Sequence, residues 1–133
     1  MSDLSPATQR FAASFAKDAA FETEGLRAYR AYRDLGIAAA TGGAVRAHVI
    51  RTTRPAPPGG SGLHYHDLDF QMVYVLKGWT RVRFEGAGEF RFEAGDCWLQ
   101  PPRIRHHVLD FSDDYEVLEI TLPADYETVQ LPG

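Results

Sequence analysis

Glycine and proline cut this chain into pieces too short for anything but strands. From residue 26 onward, runs of apolar, aromatic and β-branched residues alternate with turn residues. The runs fall at 26–33, 45–51, 71–76, 80–84, 89–92, 97–99, 106–109 and 115–121, and Gly36, Gly42, Gly43, Gly78, Gly86, Gly88 and Gly95 lie between them. The stretch 54–62, Arg-Pro-Ala-Pro-Pro-Gly-Gly-Ser-Gly, lacks the donors and side chains to build a ladder. Many short strands at close spacing predict an all-β sandwich or jelly-roll barrel rather than alternating β/α units.

The first residues read differently. Ser5 and Pro6 suit the N-cap and first position of a helix. Phe11 and Phe15 share a helical face with Ala12, Ala16 and Ala19, which predicts a short amphipathic helix over 6–19 lying across the barrel. The expected layout is a helical extension at 1–22, a barrel at 23–125 and an irregular tail at 126–133.

Chemistry concentrates in two segments. His64 and His66 are two apart on a predicted strand, so both imidazoles project to one face. Gln71 opens the next strand, and His106 follows the turn-rich segment after Gly95. Three imidazoles and one amide oxygen can enclose a divalent transition metal (Zn, Ni, Fe or Mn) and leave positions open for a ligand.

These segments resemble the two sequence motifs of the cupin superfamily. His64, His66 and Gly78 fit the first motif, with Gln71 standing where Glu is usual. Gly95, Pro101 and His106 fit the second, while Arg103 replaces a Gly and Asp110 an Asn. The resemblance implies a double-stranded β-helix barrel, the metal ligands His64, His66, Gln71 and His106, and a homodimer. The ligand set is similar to that of small cupins that convert unsaturated uronates to linear keto acids.

Gln71 sets the expected chemistry. With an amide and neutral imidazoles the site keeps the full charge of the ion, which favours Lewis-acid work over oxidation of the metal. Glu119 is a candidate acid or base beside the metal; Glu116 and Asp110 are alternatives by position. Arg46 and His48 share a strand face and are expected to line the cavity if that face points inward. His107 should point away from His106, Trp98 and Phe84 should fill the barrel, and Cys97 has no evident activating partner.

Three functions compete: a non-redox metalloenzyme acting on a small anionic substrate such as a sugar acid, a dioxygenase, and a non-catalytic ligand-binding cupin. The net charge of −4 argues against generic nucleic-acid binding. One cysteine in 133 residues points to a reducing, cytoplasmic setting, and no apolar run reaches membrane-spanning length.

Overall fold

Alternation of inward and outward side chains builds two antiparallel sheets, described in a computed structural model for residues 4–23 and 29–132. In chain order the strands are β1 (Glu22–Thr23), β2 (Arg30–Asp34), β3 (Arg46–Thr52), β4 (His64–Asp67), β5 (Phe70–Lys77), β6 (Trp79–Phe84), β7 (Gly88–Glu93), β8 (Cys97–Leu99), β9 (His106–Phe111), β10 (Glu116–Leu122) and β11 (Glu127–Gln130). One sheet runs β1-β2-β3-β10-β5-β8 and the other β11-β4-β9-β6-β7. A single helical turn, α1 (Ile37–Ala40), links β2 to β3. The jelly-roll expectation holds; residues 26–28 of the first expected strand lie outside the described residues.

The core lies between the sheets, where Ile50, Val73, Val75, Phe111, Tyr115 and Val117 form one buried cluster. Three strands of this layer change character toward the same end, β5 one inward pair later than β3 and β10 because Val73 lies opposite Glu119. Stepping two residues along each strand leads from Ile50 to His48, from Val117 to Glu119 and from Val73 to Gln71. One end of the interior is therefore apolar and the other polar, on a continuous inward face.

Two glycines are required by space as well as by dihedral. A Cβ on Gly60 (φ 74°) would meet the carbonyl oxygen of Val108 at 2.1 Å, so only Gly lets the loop before β4 lie against β9. At Gly78 (φ 70°) a Cβ would strike Ser112 Oγ at 2.1 Å, which fixes the tight β5–β6 turn.

The expected helix over 6–19 does not form. Only 3-10 turns at Pro6–Thr8 and Ala16–Asp18 are present, and Phe11 and Phe15 are 96% and 60% exposed. An isolated short helix is marginal without a packed apolar face. This segment is instead tied down by polar bonds, from Arg10 N to Ala40 O (2.7 Å), Arg10 Nη2 to Ala39 O (2.8 Å) and Arg33 Nη2 to Ser14 Oγ (2.8 Å). The tail expected to be irregular contributes β11, which pairs with β4 from Glu127↔Asp67 to Gln130↔His64 and covers the edge of the histidine strand.

Candidate metal centre

β4 and β9 are neighbours with His64 directly opposite His106, and strand alternation adds His66 to the same face. Ring centroids lie 4.2 Å apart for His64–His106, and 5.1 Å apart both for His64–His66 and for His66–His106. One nitrogen from each ring falls within 4.8 Å of the other two, a grouping that could hold a metal ion.

The tautomers follow from the hydrogen bonds. Nδ1 of His64 meets Gly62 O at 2.9 Å and Nδ1 of His106 meets Ile104 O at 3.0 Å. A carbonyl only accepts, so both Nδ1 atoms carry the proton and Nε2 keeps the lone pair. The Thr128 hydroxyl, 2.8 Å from Nδ1 of His66, can donate or accept, so it orients that ring without dictating its tautomer. β11 thus orients a candidate ligand, which is the usual task of residues behind a metal site. Residue 103, where the resemblance expects Gly, is Arg103 at φ 64°. Its amide donates to His66 O at 3.0 Å and its Nε to Asp67 Oδ1 at 3.0 Å, so the turn is kept despite the side chain.

Gln71 is 3% exposed and sits in a directed chain of polar groups. Trp98 Nε1 donates to Gln100 Oε1 (3.2 Å), Gln100 Nε2 to Gln71 Oε1 (3.0 Å), and Gln71 Nε2 to Glu119 Oε2 (2.9 Å). An indole can only donate and a carboxylate can only accept, so both amides are oriented from both ends. Gln100 Nε2 also lies 3.2 Å from His106 Nε2, so one amide nitrogen touches two of the expected ligand atoms. The sequence reading missed Gln100; its position just before Pro101-Pro102 in the second motif was the available signal.

Glu119 Oε1 lies 2.7 Å from His48 Nε2. Burial alone would raise this carboxyl, but the bond and charge of His48, the amide of Gln71 and the nearby His66 bring it down to about 2. His48 and Glu119 thus reach the polar cavity as expected. Arg46 does not. It lies at the strand end with its guanidinium on Asp125 (3.0 Å) and Ala124 O (3.2 Å), and it lines an outer groove. Shared strand parity with His48 was a sound premise, but parity cannot see that the guanidinium turns to Asp125 and Ala124.

The remaining expectations divide. His107 points away from the cluster and meets Gly59 O at 2.6 Å. Phe84 is buried, Trp98 packs against the core and also lines the cavity, and Cys97 is exposed. The cavity has a volume of about 170 Å³ and brings His48, His64, His66, Gln71, His106 and Glu119 together.

Comparison with known proteins agrees with this geometry. The Cupin domain family model matches residues 53–120. The chain is a cupin. Its fold is similar to that of KdgF from Halomonas sp. (TM-score 0.68, 18% identity, covering 86% of this chain and 94% of that one). It is also similar to the polyketide cyclase RemF from Streptomyces resistomycificus (TM-score 0.69, 14% identity, 93% and 87% covered). An RmlC-like cupin from Shewanella frigidimarina is a further likeness (TM-score 0.59, 20% identity, 88% and 95% covered). No curated protein matches the sequence of this cupin. Among the described residues no helix is long and apolar enough to cross a membrane.

Proposed function

We propose that this cupin is a non-redox metalloenzyme in which His64, His66, His106 and Gln71 hold one divalent transition metal, and that it acts on a small anionic substrate such as a sugar acid. The observation that carries the reading is the orientation of Gln71. Glu119 takes the amide hydrogens at 2.9 Å, which turns Oε1, the only metal-binding atom of the side chain, away from the carboxylate. The donor set is then three neutral imidazoles and one neutral oxygen, which leaves the charge of an ion undiminished. Bound there, the ion supplies Lewis acidity toward a carbonyl or hydroxyl oxygen.

The protein's own groups have separable tasks. Glu119, with its carboxyl near 2, stays ionised at neutral pH and is a poor proton carrier. It holds His48 by Nε2 and Gln71 by its amide, and proton transfer at the substrate falls to His48. Gln100 would release Gln71 Oε1 and His106 Nε2 to an ion held by those atoms. Trp98 and the core below it keep bulk water from the apolar side.

Among similar folds are a polyketide cyclase, DMSP lyases and an oxalate decarboxylase studied for its Mn(II) centres. Their names favour no one substrate here, because likeness at such low identity carries the fold alone. Dioxygenase chemistry is the second reading, favoured by the three-histidine cluster itself. The test is product formation from sugar acids and α-keto acids by metal-loaded protein under strict anaerobiosis. Turnover at the aerobic rate is expected; loss without O₂, restored on its return, overturns the non-redox reading.

A further inference from the structure

We propose that Arg30 is the anion anchor of this cavity, its guanidinium taking the carboxylate of a small acid whose other oxygen end lies at the three-histidine cluster. The inference deepens the function proposed above and rests on it only for the metal end of the ligand. Arg30, opposite Thr52 on β3, is partly buried and lines the same cavity as His64, His66 and His106. A guanidinium cannot shed its charge in a protein. Yet Arg30 makes no ion pair and no hydrogen bond among the described residues; its guanidinium lies over the Tyr29 ring, 5.5 Å from the centroid, a cation–π contact that leaves its N–H groups open.

Among the described residues no carboxylate touches the guanidinium, although Glu119 attracts it through space. Burial pushes the Tyr115 phenol up to about 12, so it stays neutral beside Arg30. Glu119 is the nearby carboxylate, and its two oxygens bond to His48 and Gln71 at 2.7 and 2.9 Å rather than to the guanidinium. Arg46 offers the contrast, since its charge is met by Asp125 at the rim. A guanidinium in the cavity whose N–H groups meet no carboxylate among the described residues is open to an incoming anion. The guanidinium fork matches a carboxylate with two parallel hydrogen bonds, where a lysine would offer only a point charge.

Size narrows the ligand class further. The enclosed volume of about 170 Å³ is below the roughly 300–1,000 Å³ of sites for drug-sized ligands. The occupant is therefore a short acid with an oxygen function at its far end, not an extended chain.

The experiment is calorimetric titration of succinate and of its neutral diamide, succinamide, into zinc-loaded and zinc-free protein. The variants are Arg30→Gln, Arg30→Lys and the double variant His64→Ala/His106→Ala. Loss of charge-assisted hydrogen bonds should weaken succinate about tenfold or more in Arg30→Gln, and severalfold in Arg30→Lys, with succinamide and zinc content unchanged. The Arg30 effect should persist in zinc-free protein and in the double histidine variant. If zinc proves irrelevant to succinate while the Arg30 effect remains, the metal reading fails and the anchor stands. Should Arg30→Gln not fold, Arg30→Lys decides. Equal succinate affinity in wild type and the folded Arg30 variants, or parallel losses for succinate and succinamide, overturns the proposal.

Discussion

Gln71 Nε2 donates to Glu119 Oε2 at 2.9 Å across the neighbouring strands β5 and β10. The negative charge absent at position 71 is thus present one hydrogen bond behind it. The carboxylate fixes which end of the amide faces the histidines, and it contributes attraction to a cation without entering the ligand set. Glu119→Gln removes both effects, since a second amide no longer dictates the orientation of the first. We expect metal affinity to fall about 10- to 100-fold, as when other orienting partners of ligands are lost. Chelator competition against wild type measures it.

Gln71→Glu tests the same pair from the other side. By charge alone a new carboxylate should tighten metal binding and lower Lewis acidity. Here it would stand within hydrogen-bond distance of Glu119, and the two groups would share a proton. The affinity gain should therefore be small in Gln71→Glu and larger in Gln71→Glu/Glu119→Gln. A double-mutant cycle on metal affinity should return a coupling above about 1 kcal/mol; additive effects would show that the two sites act independently.

The barrel and the histidine cluster were legible in the sequence because each depends on local signals. Turn glycines such as Gly78 and the two-residue step from His64 to His66 survive any tertiary detail. What failed depends on partners distant in sequence. Phe11 and Phe15 have helical spacing, but no apolar surface receives them and the segment is held by polar bonds to Ala40 and Arg33. Strand parity put Arg46 beside His48 correctly and still misplaced its charge, because Asp125 lies 79 residues away in the chain. Gln100 and Arg30 were overlooked for the same reason, since their significance lies in what faces them across the cavity.

Acid stability should report on Glu119. Its folded-state value of about 2 lies below the ordinary 4.5, so its contribution is fully present above pH 4.5 and is lost as pH falls toward 2. A difference of this size corresponds to about 3 kcal/mol. Urea unfolding of metal-free protein at pH 7 and pH 3 should show a larger acid loss for wild type than for Glu119→Gln. Equal losses would mean that the carboxylate gains nothing from His48 and Gln71.

The exposed arm gives a prediction of silence. Phe11 is 96% exposed, so Phe11→Ser should change stability by less than about 0.5 kcal/mol in thermal or urea unfolding. A loss of more than about 1 kcal/mol would show that the ring packs against protein surface in solution.

The most direct test is an anomalous difference map from crystals grown with zinc. We expect one peak per chain about 2.0–2.2 Å from Nε2 of His64, His66 and His106, with the amide oxygen of Gln71 completing the protein's share and its amide nitrogen still on Glu119. No peak at full zinc loading, or a peak with Gln71 turned away from it, would contradict the account.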